Sequence, residues 1–185
     1  LPSSPYSASK AGSDHLVRAA GAIAAVMGAK LHVVHAFDVQ TLPYARGAVG
    51  DTFSEWTREA RGRMDAQLAR ALPTTSSVQI ASRDVVVYAA HKAITDGAER
   101  ASADLIVLGP HRARGSTNSF LGTTADRVIR TATVPCLIVP DDLALPTRRV
   151  VVPIDLSEPA RAALDLGIEW SRVLGPEAAD ERDLR

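Results

Sequence analysis

Apolar residues recur along this chain in two alternating periods. Short β-branched runs, KLHVVHAF (30–37), SVQIAS (77–82), DLIVLG (104–109), PCLIVP (135–140) and RRVVVPID (148–155), are apolar on both faces and predict strands buried between layers. Between them lie longer stretches with helical spacing. Leu16, Ala20, Ile23 and Met27 line one face of a first helix, and Phe53, Trp56, Ala60, Met64, Leu68 and Leu72 line a second over five turns. Ala90, Ile94, Ala98 and Ala101 form a third stripe, and Ala125, Val128 and Ile129 a fourth. Strands that alternate with helices and are bounded by Gly, Pro and Asp predict βαβ units around a parallel sheet, the α/β class.

The punctuation has physical causes. Gly28 closes the first helix where a left-handed residue costs glycine least, and Pro73 stops the second. Pro43, Gly47 and Gly50 mark 38–50 as a surface loop, and DDLALPT (141–147) reads as an acidic linker. After it, RRVVVPIDLSEPARAALDLGIEWSRVLG repeats the order strand, Asp-x-Ser turn, helix and glycine, and its Gly175 matches Gly28 at the end of AGSDHLVRAAGAIAAVMGAK. This echo divides the chain into a domain over 1–140, a linker over 141–147 and the start of a second domain over 148–185. The chain opens at Leu1 with neither an initiator methionine nor a signal pattern, and residues outside the printed sequence are expected.

Composition narrows the function classes. The 185 residues are 46% hydrophobic and 23% charged, ordinary for a globular domain. Lys plus Arg and Asp plus Glu each total 21, a balance that argues against nucleic acid as the main partner. No apolar run approaches the roughly 20 residues that cross a bilayer, so no membrane partner is expected and the location reads as cytoplasmic. The single cysteine, Cys136, sits within an apolar run and reads as a small core residue.

The most informative stretch is DLIVLGPHRARGSTNSFLGTTADRVIRTATVPCLIVP (104–140): strand, glycine-bearing loop, helix, strand. Gly109 ends the strand, and Gly122-Thr123-Thr124 opens the helix. A helix start offers free backbone N–H groups and the positive end of the helix dipole to an anion. Thr123 and Thr124 add hydroxyl donors, and His111, Arg112 and Arg114 make the intervening loop suited to a phosphate chain.

In these features the chain resembles the universal stress protein family, whose loop after the fourth strand has the pattern G-x-x-G, nine residues, then G-S/T. Gly109, the nine residues Ala113–Leu121 and Gly122-Thr123 fall at those spacings, while Arg112 stands where the second glycine would. Its guanidinium either obstructs the close approach of backbone to phosphate or contacts the phosphate itself. The resemblance runs over most of 8–140, and 148–175 looks like the opening of a second such domain. It implies a five-stranded parallel sheet of order 3-2-1-4-5 with helices on both faces, and a nucleotide at the crevice where strand order reverses. It also implies adenine contacts near Ala36 and an Asp at the end of the first strand. That Asp is matched by Asp155, whereas the corresponding N-terminal positions hold Ala8 or Pro2. The central first strand of the first domain is then either supplied by residues outside this sequence, the preferred reading, or by 149–154 of this chain or of a partner.

Other polar residues have plainer readings. His32 and His35 stand three apart on a strand, hence on opposite faces and unable to share a metal through it. His15 and His91 are expected on helix surfaces, and Arg58, Arg61, Arg63 and Arg70 with Glu55, Glu59 and Asp65 on a solvated face. His111 either touches phosphate or is simply solvated, and Ser116, Ser119, Thr123 and Thr124 serve either as donors or in ordinary caps. No nucleophile elbow, Walker loop, metal-ligand spacing or paired carboxylates stand out, so no catalytic and no metal residues are assigned. The sequence therefore points to a non-catalytic protein that binds or senses ATP or AMP in a stress response, with Mg²⁺ accompanying the phosphates and at most slow ATP hydrolysis. A domain that has lost the nucleotide and serves dimerisation or protein contact is the alternative. Self-association through the edge strand 135–140 is expected in either case.

Overall fold

A computed structural model describes residues 10–37, 51–72, 77–110, 122–140, 146–155 and 157–175. Helix α1 (Lys10–Met27) leads into β1 (Lys30–Phe37), then α2 (Asp51–Ala71), β2 (Gln79–Val87), α3 (Ala90–Ala101), β3 (Ile106–Leu108), α4 (Thr123–Thr131), β4 (Cys136–Ile138) and α5 (Glu158–Val173). The alternation read from the sequence is present, with shifted bounds. The strand expected over 77–82 runs on to Val87, while those expected over 104–109 and 135–140 keep only three residues each.

Among the described residues the strands form two small parallel sheets, where one sheet of five strands was expected. β1 pairs with β2 from Lys30↔Gln79 to Phe37↔Val87, with an irregularity between Leu31 and His32. β3 pairs with β4 from Ile106↔Cys136 to Leu108↔Ile138. Flanking bonds extend this ladder: Ile106 N–H donates to the Pro135 carbonyl at 3.0 Å and Val139 N–H to that of Leu108 at 2.8 Å. These are the outer pairings of the expected order, and no central strand is found among the described residues. Residues 148–155, expected as a strand, pair with no described strand, and Val151 is 89% exposed.

Each sheet has its own apolar cluster. Ala60, Met64 and Leu68 of α2 close over Val85 of β2, joined by Val17, Val33, Leu72 and Ile80. Ile106 and Leu108 of β3 pack with Ala125 and Val128 of α4, flanked by Ile94, Ala98, Cys136 and Ile138. Two helices tie the halves together: α1 lies against α2, β1 and β3, and α3 lies against β1 and α4. Close packing explains two glycines. A β-carbon at Gly21 would run into Leu72, and one at Gly97 would lie 3.0 Å from Val34 Cγ2.

Several helix faces rotate slightly from the expected stripes. On α1 the buried residues include Ala19, Gly21, Ile23 and Ala24, while Met27 is exposed. On α3 they are Ala93 and Gly97, because that helix faces β1 as well as the second cluster. Gly28 takes the left-handed conformation at φ 62°, and Ala29 N–H returns to the Ala24 carbonyl at 2.8 Å. Gly175 does not share that conformation. Ser102 does, at φ 48°, ending α3 without the glycine that would advertise it.

The arginines of α2 are exposed as expected, though some are engaged. Arg61 donates to the Arg83 carbonyl at 2.9 Å, Arg70 meets Asp14 at 3.4 Å, and Asp65 meets Arg83 at 3.6 Å. Exposed pairs of this kind stabilise a fold by about 0–1 kcal/mol.

Neighbouring residues of α4 separate core from surface. Val128 is 0% exposed and Ile129 is 43% exposed, although periodicity placed both inward. Val128→Ala is expected to cost about 2 kcal/mol of unfolding free energy, from two lost methyl groups and a partial cavity. Ile129→Ala should cost under about 0.5 kcal/mol. Urea titrations of both variants check the contrast.

Candidate functional site

β3 and β4 pair in parallel with α4 between them, so α4 runs back against the strands and its start at Gly122 lies toward the carboxyl end of β3, where Gly109 follows the strand. In the other sheet Ala36, half-buried, stands next to the end of β1 beside its register partner Val86.

Gly122 is the N-cap of α4, buried and extended at φ −69°, ψ 155°. Its carbonyl accepts the Asp126 N–H at 3.0 Å, and no side chain caps the helix start. The amide groups of Thr123, Thr124 and Ala125 belong to the first turn, which has no intrahelical acceptor for them. Thr123 is exposed and Thr124 half-buried. Asp126 brings a carboxylate into that turn, where Arg130 binds it at 3.1 Å and offsets its charge.

Gly109 is a glycine that packing does not demand. A β-carbon there would meet Leu16 Cδ2 at 3.5 Å, an ordinary contact, and its φ is not left-handed. Gly109, Gly122, Thr123 and Thr124 thus lie toward one end of the β3–β4 sheet, and Ala36 belongs to the other sheet. His111 and Arg112 lie outside the described residues.

Asp155 belongs to a separate strand–turn–helix unit. Its carboxylate is fully exposed and accepts the Ser157 N–H at 3.0 Å, while Ser157 Oγ caps α5 by accepting the Ala160 N–H at 3.3 Å. Hydrogen bonding from Ser157, side chain first and backbone second, holds the Asp155 carboxyl below the usual carboxylate range.

His15 departs from its expected surface position. It is half-buried, and its Nε2 is sealed from solvent with no hydrogen-bond partner. Its neighbour Leu16 lies 3.5 Å from where a β-carbon on Gly109 would stand, so α1 belongs to the surroundings of this edge. The sequence signal was adjacency to the apolar stripe at Leu16. His91 is half-buried too. His32 and His35 take different environments as expected. His32 is exposed with Nδ1 3.0 Å from Ser82 Oγ, whereas burial and then Arg63 push the His35 pKa down. Burial raises that of the Cys136 thiol, which suits an inert core position.

A cleft of ≈ 410 Å³ lies elsewhere, lined by Thr95, Glu99, Ser102, Ile106, Thr131 and Val134 among others. It opens at the amino ends of β3 and β4, away from the glycines. Among the described residues no three His, Cys, Asp or Glu side chains gather as metal ligands, and no helix is long and apolar enough to cross a membrane.

The depressed Asp155 pKa gives a pH prediction. Its stabilisation of the α5 start is present above the usual carboxylate range, about pH 4, and is lost as pH falls through the lowered value. The Ser157 amide proton shift should report this titration below pH 4, and Asp155→Ala should abolish it.

A family profile for the universal stress protein family matches residues 5–140. A solved member of that family from Burkholderia pseudomallei is 27% identical, covering 76% of this chain and 91% of its own, with a TM-score of 0.50. A universal stress protein in complex with cAMP is 27% identical over 71% of this chain and 89% of its own, with a TM-score of 0.45. One from Archaeoglobus fulgidus in complex with dAMP is 21% identical over 68% and 86%, with a TM-score of 0.46. No curated protein matches. With the profile spanning most of its length, the chain belongs to the universal stress protein family.

Proposed function

We propose that this chain binds an adenine nucleotide, ATP or AMP, at the carboxyl edge of β1 and β3, and does so to sense or hold it in a stress response without covalent chemistry. The observation that carries the reading is the start of α4: a buried glycine N-cap with no capping side-chain hydrogen bond, at a helix end whose first-turn amides have no acceptor within the helix. Phosphate is the acceptor that such a helix start favours. Gly109 supports it, since packing leaves room for a β-carbon there and a close-lying ligand would not. Ala36 is assigned to flank the base from the family resemblance, and Thr123 and Thr124 to donate hydroxyls. His111 and Arg112 are assigned to the phosphate chain from the sequence pattern, with Mg²⁺ carried by the phosphates.

The second reading, a contact module without nucleotide, is favoured by Arg112 at the place of the second glycine. Either reading is compatible with self-association through β4, whose Cys136–Ile138 are only half-buried with β3 as the paired neighbour. Residues 148–175 are read as the strand–turn–helix opening of a second such domain after the linker 141–147, and the protein as cytoplasmic.

Two variants test the site by calorimetry with ATP, AMP and cAMP. Gly109→Ala should leave the unfolding midpoint unchanged while lowering affinity about tenfold, equivalent to about 1.4 kcal/mol. Gly122→Val, whose extended backbone a β-branched residue can adopt, should abolish measurable binding. Equal affinity in wild type and both variants would remove the phosphate role from this edge.

A further inference from the structure

We infer that the cleft between the carboxyl ends of α3 and α4 is a second binding site, for an alkylammonium ligand of the short diamine or polyamine class. The cleft encloses ≈ 410 Å³, a volume typical of small-molecule sites. It lies at the amino ends of β3 and β4 and shares no residue with the proposed nucleotide site, so it does not rest on that reading.

The ligand class follows from where the hydrogen-bond donors of the walls already point. The amides of Ser102 and Ala103 turn back to the Ala98 and Glu99 carbonyls at the end of α3. Ile106 N–H donates to the Pro135 carbonyl at 3.0 Å, and Ala132 N–H to that of Val128 at 2.7 Å. Two hydroxyls are engaged in the same way. Thr95 Oγ donates to the backbone of its own helix, 3.2 Å from the His91 carbonyl and 3.1 Å from that of Lys92. Thr131 Oγ donates to the Arg127 carbonyl at 2.8 Å. What these hydroxyls still offer a ligand is lone pairs.

Negative charge adds to the lone pairs. Asp96 and Glu99 line the cleft, and neither carboxylate has an ion-pair or hydrogen-bond partner among the described residues. Both helices end here, α3 at Ala101 and α4 at Thr131, and a helix end presents unpaired carbonyls and the negative pole of its dipole. The basic residues of the two last turns stay outside the lining. Arg100 reaches toward Gly97, and Arg130 binds Asp126. Such a field repels phosphate and carboxylate and favours a positively charged donor.

The remaining wall is apolar. Ala98, Ile106, Ala132 and Val134 give methylene groups a surface away from water. A cation on an aliphatic stem matches both parts of the cleft, as lysine stems do on protein surfaces. A bare metal ion matches only the acidic part, and no three metal-ligating side chains gather among the described residues.

Amide and methyl shift mapping of the whole chain with spermidine, at physiological ionic strength, tests the site. Saturable shifts should gather at Thr95, Ala98, Ile106, Thr131 and Val134. The double variant Asp96→Asn, Glu99→Gln should bind about tenfold more weakly. Its unfolding midpoint should not change, because neither side chain is buried or paired. Butanediol, which has the stem without the charge, should not bind, and Mg²⁺ should not reproduce the shifts. Shifts scattered over carboxylates elsewhere, or affinity unchanged in the double variant, overturn the site. Butanediol that binds as tightly as spermidine, or Mg²⁺ that gives the same shifts, overturns the alkylammonium assignment.

Discussion

Every buried parallel strand must satisfy backbone groups on two edges and side chains on two faces, and this fold depends on how that requirement is met. The faces are covered first. α1 and α2 pack together and bring Ala60, Met64 and Leu68 onto Val85, while α3 and α4 pack together with Ala125 and Val128 on Ile106 and Leu108. The edges are met only pairwise, β1 with β2 and β3 with β4. An isolated pair of strands is marginal in water, so α1 and α3, which reach across both halves, carry the connection that backbone pairing supplies in a continuous sheet.

The candidate site inherits its geometry from this arrangement. β3 and α4 are locked by Val128 and Leu108, which fixes where the helix start lies relative to the end of the strand. Gly109 and Gly122 bracket the connection between them. Leu16 places α1 beside Gly109, so the helix that spans the two halves also walls the edge where a nucleotide is proposed to bind.

Much of the fold was legible because periodicity reports burial on two faces at once. The βαβ alternation, the cap at Gly28 and the inward positions Ala60, Met64, Leu68, Ala125 and Val128 follow from spacing alone. What periodicity cannot report is which neighbour a face meets. Met27 and Ile129 fit their stripes yet lie at a helix end and on an outer flank, and both are exposed. Ser102 takes a glycine's conformation because the Ala98 and Glu99 carbonyls accept its N–H and hold the turn, a tertiary outcome with no sequence mark. RRVVVPID has the pattern of a strand, but a strand exists only where a partner edge lies beside it, and none of the described strands pairs with it. The candidate site stands in the sequence as a motif at Gly109, Gly122 and Thr123. His15 was marked only by its place beside Leu16 of the apolar stripe, and its burial comes from packing around α1.

Amide and methyl chemical-shift mapping during titration with AMP tests the central claim most directly. Saturable shifts concentrated at Ala36, Gly109, Gly122, Thr123, Thr124 and Ala125 are predicted, with Leu16 methyls moving alongside. Shifts that gather instead around Thr95, Ser102 and Thr131, or no saturable shift at millimolar AMP, would contradict it.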